Sequence, residues 1–320
     1  MEDNNKISYR SIFKTTSLFG GVQAFQIVIG IIKSKFIAII LGPEGVGLLG
    51  LYSSAIELVK QFTAMGLAQS AVRDVSEAKG TGDMQRIGII ISVLRKLMWL
   101  TGLLGSIVVM LLSPMLSKIT FGSYDYTIPL IILSVTLLFD QICAGQKVIL
   151  QGLRRLKDLA KASAIGSTFG LVVSIPLYYW IGLRGIMPTL ILNSVTALII
   201  SYYYSNKVRI EKRKTTVHQT FQEGKVMMRM GIAMSVSNIL TVVSAYILRS
   251  YLRYEGGIEE VGIFSAGYAI INTYVNMIFT AMSTDFYPRL AAVNRDNAKC
   301  RDIVNQQGEI GTLIIAPMLM

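Results

Sequence analysis

Eight runs of mostly apolar residues, each about twenty or more long, follow one another along this chain, and its charges are gathered between them. In a bilayer core no water is present to satisfy backbone N–H and C=O groups, so runs of this length fold as membrane-crossing helices. They cover about 16–40, 46–70, 92–116, 127–149, 162–182, 186–205, 229–251 and 261–285. A ninth begins near Ile310 and reaches Met320 after about ten residues, too few to cross, so a longer complete protein is expected. Only 16% of the residues are charged and 52% are hydrophobic. Soluble domains carry roughly 25% charge. The expected fold class is all-α: a polytopic membrane protein.

The basic residues fix an orientation. Three Lys/Arg precede the first run, five lie between Arg73 and Lys96, five between Lys147 and Lys161, seven between Lys207 and Arg229, and four between Arg289 and Arg301. The alternate turns hold Lys118, Arg184, Arg249 and Arg253 alone. Cytoplasmic loops collect Lys and Arg, so the N-terminus is expected in the cytoplasm. A net charge of +12 would suggest nucleic acid in a soluble chain. Confined to alternate loops, it suits anionic lipid headgroups instead, and nucleic acid is not an expected partner. The N-terminal Met-Glu-Asp-Asn-Asn-Lys has no cleavable leader pattern.

Residues 15–65 are echoed by 230–282. Each stretch has an apolar run with a basic residue near its end, Lys35 or Arg249. Each then has a Gly-rich turn, Gly42-Pro43-Glu44-Gly45-Val46-Gly47 or Gly256-Gly257-Ile258-Glu259-Glu260-Val261-Gly262. A second run follows, with Phe62-Thr63-Ala64-Met65 or Phe279-Thr280-Ala281-Met282, and then a charged loop at Arg73 or Arg289. Duplicated helix sets are how secondary transporters are built. The shift, Val46 to Val261, is 215 residues. Doubling it predicts about twelve spans in the complete protein, eight to nine of them here. The predicted division is a first six-helix bundle at 1–205, a basic cytoplasmic linker at 206–228, and the start of a second bundle at 229–320.

Chemical motifs are few. No G-x-x-x-x-G-K-[ST] loop occurs, so no nucleotide engine is expected. HExxH, CxxC and G-x-S-x-G are missing, Cys143 and Cys300 make no ligand set, and the single His218 sits in a basic loop. Neither an enzyme nor a cofactor is predicted. The aromatic groups Tyr178-Tyr179-Trp180 and Tyr202-Tyr203-Tyr204 end their runs, as an interfacial belt does. Pro176 falls inside a run and is expected to kink it.

Ionisable residues inside runs carry the functional reading, because a charge at bilayer depth costs several kcal/mol unless it faces protein or a wet cavity. They are Lys33, Lys35, Glu57, Lys60, Asp140, Arg249 and Asp285. Lys35 precedes Gly47 by 12 residues and Arg249 precedes Gly262 by 13. Two such cations across a cavity suit a phosphate or pyrophosphate; the alternative is that both snorkel to headgroups. Lys33 lies about 200° around the helix from Lys35 and cannot share its face. Glu57 and Lys60 are spaced to pair on one helix face, which either neutralises them or lines a cavity. Asp140 has no local cation; it is a candidate site for a coupling ion, or has a partner on another helix. Asp285 is expected to bridge to Arg289.

Leu41-Gly42-Pro43-Glu44-Gly45-Val46-Gly47-Leu48, after a span carrying Lys35, resembles the first loop of polysaccharide exporters in the MATE-like MOP superfamily. The stretch from Ala245-Tyr246-Ile247-Leu248-Arg249 through Glu260-Val261-Gly262-Ile263 to Tyr287-Pro288-Arg289-Leu290 resembles Wzx-type O-antigen and enterobacterial common antigen flippases. The resemblance implies two MATE-like helix bundles that flip an undecaprenyl-pyrophosphate-linked oligosaccharide by alternating access, coupled to a proton or sodium gradient. It implies a cationic lumen: Lys35, Arg249, Lys33 and Lys60 become the expected substrate-binding residues, and Asp140 and Glu57 the expected ion-coupling ones. Expected partners are the lipid-linked oligosaccharide, membrane lipids, and the polysaccharide polymerase and chain-length proteins of lipopolysaccharide assembly. Two rival readings are a multidrug cation exporter of the same fold, which would prefer lumen carboxylates and aromatics, and a membrane glycosyltransferase, which the short outer loops disfavour.

Overall fold

The computed structural model describes residues 2–80, 82–208 and 215–292, and separate positions between 297 and 312. These residues form helices and turns, with no strand among them. The long helices are α1 (Glu2–Thr63), α3 (Met84–Phe121), α4 (Thr127–Gly152), α5 (Leu156–Ile181), α6 (Ile186–Asn206) and α7 (Val217–Ala292); a shorter α2 spans Leu67–Gly80. By packing, the chain divides into Met1–Gly262 and Ile263–Met320. In the first unit α3 packs on α4, α4 on α6, α6 on α5, α5 on α1, and α1 back on α3. The protein is therefore an all-helical bundle that crosses a membrane several times.

Among the described residues five stretches are long and apolar enough to cross: 24–63, 84–121, 127–152, 156–206 and 219–269. Breaks divide three of them, at Gly42, at the short 3-10 turn Gly182–Gly185 and at Gly257. The breaks leave eight helical segments where the sequence predicts eight spans. The repeated turns are tighter than predicted. Each is a single residue out of helical geometry, Gly42 at φ 65°, ψ −172° and Gly257 at φ 84°, ψ −174°. Both values need a residue without a Cβ. The two breaks are 215 residues apart, the repeat shift itself. Pro43 follows the first break at the opening turn of the next helix, where a missing N–H costs nothing. α5 continues through Pro176 as one helix, with the Ser174 hydroxyl donating to the Gly170 carbonyl in the preceding turn.

The loop expected between the second and third spans is itself helical. The second crossing ends at Thr63 rather than near residue 70, and α3 starts at Met84, ahead of the predicted 92. α2 fills the interval because Leu67, Ala71, Val75 and Ala78 form one apolar face and are all buried. That face joins Ile90, Leu94, Met98 and Ile149 in a core at the basic end of the bundle. Asp83 caps α3, its carboxylate accepting from the Arg86 amide at 2.9 Å. At 38 residues α3 is about 57 Å long, well beyond a hydrocarbon core of about 30 Å. A second core lies toward the other end, around Leu51, Tyr52, Val109, Phe121, Leu133 and Tyr178.

Candidate functional site

The second half of α1 carries Glu57 and Lys60 one turn apart, and Lys60 Nζ donates to Glu57 Oε2 at 2.9 Å. Asp140 on α4 comes to the same place: the Lys60 charge acts on it, and the Ser194 hydroxyl of α6 hydrogen-bonds its carboxylate. Sequence reasoning singled out all three charged groups, and the structure assembles them from α1 and α4. It missed Ser194, because nothing in the sequence aligns α6 with α4. Lys60 is thus paired with Glu57, and Asp140, half-buried like Glu57, lies within reach of its charge. Beside it, Gln141 Nε2 donates to Thr101 Oγ1 at 3.1 Å, and Thr101 donates to the Leu97 carbonyl at 2.9 Å, so this part of the α3–α4 seam is satisfied without charge.

The other predicted cations lie elsewhere. Lys35 is exposed and Lys33 half-buried on the first half of α1; Arg249 is half-buried on α7. Counted from the helix breaks, Lys35 is seven residues before Gly42 and Arg249 eight before Gly257. Ser250 is thus the positional counterpart of Lys35, and Arg249 is about 100° away around the helix. The side chains of His218, Asp285 and Arg289 lie outside the described residues.

The repeated turns touch each other. A Cβ on Gly47 would come within 2.1 Å of the Ile258 carbonyl, and one on Gly262 within 1.9 Å of the Pro43 carbonyl. Adding 215 turns Pro43 into Ile258 and Gly47 into Gly262, so each contact is the counterpart of the other. Reciprocal contacts of this kind mark a two-fold relation. Around this junction Tyr246 and Thr120 share a hydrogen bond of 2.8 Å, and the Arg253 guanidinium lies against Gly122. A second junction forms at the basic end. A Cβ on Gly66 would meet the Gly231 carbonyl at 2.1 Å, and Ser235 Oγ donates to Gln69 Oε1 at 3.1 Å. There Arg86 also forks onto Glu223, one arm at 2.9 Å. α7 up to Gly262 is therefore held on the six preceding helices at both ends. Sequence spacing marked the two turns of the first junction as a repeat, but not that they meet. It could not locate the second, whose glycines belong to no repeated motif.

A family model described as "Polysaccharide biosynthesis protein" matches residues 12–293. A Shigella flexneri protein named "Putative O-antigen transporter" is 25% identical over 327 residues, spanning 97% of this chain and 73% of its own length. Among solved structures, an inward-facing multidrug resistance MATE transporter of the MOP superfamily superposes with a TM-score of 0.72 at 17% identity, over 90% of this chain and 68% of its own. A MATE crystal structure in complex with Br-NRF gives 0.61 at 17% identity, over 95% and 74%. At these identities the structural likeness speaks for the fold, which is MATE-like.

Proposed function

Because the chain belongs to the polysaccharide biosynthesis protein family, we propose that it is a Wzx-type flippase moving an undecaprenyl-pyrophosphate-linked oligosaccharide across a bacterial inner membrane. The observation that carries this reading is the family match over residues 12–293, supported by likeness to the named O-antigen transporter. The N-terminus is cytoplasmic, 1–205 and 229–320 belong to two bundles, and 206–228 links them. Lys35 and Arg249, aided by Lys33 and Lys60, offset the pyrophosphate charge, which is tolerable at bilayer depth only beside cations. Asp140 and Glu57 exchange a coupling ion with Lys60 as their internal counter-charge. The two junctions part in turn, so that the substrate meets one side at a time. Released on the far side, it passes to the polymerase and chain-length proteins.

The test is complementation of a flippase-deletion strain. Lys35→Ala and Arg249→Ala are expected to lower surface polysaccharide while leaving the amount of protein in the membrane unchanged. Wild-type polysaccharide of normal chain length from both variants would overturn the cationic-lumen assignment. A multidrug exporter is the second reading, favoured by the excess of carboxylate over ammonium in the Glu57–Lys60–Asp140 cluster. Drug hypersensitivity of the deletion strain with intact polysaccharide would select it.

A further inference from the structure

Between α3, α4 and α6, near the basic end of the bundle, lies a cavity of about 770 Å³. Glu57, Lys60 and Asp140 do not line it, nor do the glycines of the two junctions. Two of its polar side chains hold a buried atom without a partner among the described residues. Gln146 on α4 lines it, is only 5% exposed, and has an Oε1 without a hydrogen-bond partner among the described residues. Arg95 on α3 lines it too, with its Nε buried and unpartnered. Buried polar atoms are rarely left unpaired, and two of them on side chains that line one cavity point to a ligand.

The rest of the wall states what kind. Trp99, Tyr202 and Tyr203 supply rings, of the kind that gather where a bilayer meets its headgroups. From Trp99 an apolar groove continues along α3 over Leu100 and Leu103, and all three are about half exposed or more. Lys96 beside it is tied to Thr215 at 2.8 Å, and Lys207 lies 4.4 Å from the Tyr203 ring centre. Arg95 is therefore the cation in the lining that lacks a full set of partners. The cavity is thus basic and hydrogen-bonding at one end and apolar toward the bilayer, the plan of a single lipid.

We propose that this cavity binds an inner-leaflet glycerophospholipid whose head group has one phosphodiester and a free hydroxyl. The phosphate accepts from Arg95, the head-group hydroxyl donates to Gln146 Oε1, and one acyl chain follows Trp99, Leu100 and Leu103. One lining cation matches the single charge of a phosphodiester and leaves a pyrophosphate under-neutralised. The site is therefore distinct from the path of the proposed substrate. "Inner leaflet" rests on the proposed orientation; the site itself does not.

The chain's two tryptophans make the site readable. In the full chain with Trp180→Phe, Trp99 is the sole tryptophan, and it reports brominated lipids that touch it. The protein is reconstituted into vesicles of phosphatidylcholine containing brominated phosphatidylglycerol or, separately, brominated phosphatidylcholine. Phosphatidylglycerol is expected to occupy the site about tenfold more tightly, which corresponds to about 1.4 kcal/mol. Arg95→Gln should abolish that preference while leaving quenching by phosphatidylcholine unchanged, which also shows that the variant is folded; Arg95→Lys should keep part of it. Equal quenching by the two lipids, or a preference that survives Arg95→Gln, overturns the proposal. So does displacement of phosphatidylglycerol by equimolar undecaprenyl pyrophosphate, which would give the cavity to the substrate. Because vesicles present both leaflets alike, a failed result leaves the flippase reading and its orientation standing.

Discussion

At the residue scale, the Glu57–Lys60–Asp140 cluster shows how a charge is kept inside a membrane bundle. Removing Lys60 leaves two carboxylates facing each other without their counter-charge. An exposed pair is worth ~0–1 kcal/mol and breaking a fully buried one costs ~3–5 kcal/mol. With the pair 30% and 45% exposed, Lys60→Met is expected to destabilise by about 2 kcal/mol. Adding Glu57→Gln should recover part of that loss and Asp140→Asn more, because each substitution removes a stranded charge. Thermal denaturation in detergent across this cycle measures the coupling; strictly additive single effects would show that the three groups act apart. The Glu57–Lys60 pairing was legible from the i, i+3 spacing alone. The arrival of Asp140 was not, because it depends on how α4 is rotated against α1.

At the scale of elements, α2 is the piece the sequence concealed. Its charges look like loop, and only the Leu67, Ala71, Val75, Ala78 stripe identifies a helix lying on the basic end of the bundle. Leu67 is fully buried, and Leu67→Ala should cost about 2–5 kcal/mol, read as a fall in Tm. Asp74 lies on this helix, and burial raises its carboxyl pKa above the ordinary 3.8, with Glu77 and Glu223 adding to the rise and Arg73 opposing it. A raised folded-state pKa means that the charged form is disfavoured in the fold. Its favourable contribution is therefore complete below pH 3.8 and is lost as the pH rises through the folded value. Asp74→Asn is expected to raise Tm at pH 7, with the gain shrinking toward zero as the pH is lowered to about 4. A gain that does not change with pH would assign the effect to something other than ionisation. The Arg86–Glu223 fork joins α3 to α7 at the surface, and Arg86→Ala should cost no more than about 1 kcal/mol.

For the whole molecule, the decisive feature is the pair of glycine junctions that hold α7 against the preceding helices. Gly47→Val places a side chain into the Ile258 carbonyl, whereas Gly30→Val meets nothing within 4 Å. Overpacking costs ~1–3 kcal/mol, so Gly47→Val should lower polysaccharide export roughly tenfold or more while Gly30→Val leaves it near wild type. Equal effects from the two would show that the junction has no part in export. The sequence by itself determined the membrane class, the repeat and the place of the long apolar helices, since the bilayer leaves a twenty-residue apolar run few alternatives to a helix. It also located Gly42 and Gly257, because only glycine takes their backbone angles without strain. Only the tertiary structure decided which helix faces meet: Asp140 beside Lys60, Gly47 against Ile258, Gly66 against Gly231. The rotation of one apolar helix against another is set by side-chain fit over its whole length, and apolar runs with weak one-sided patterning leave that choice to packing.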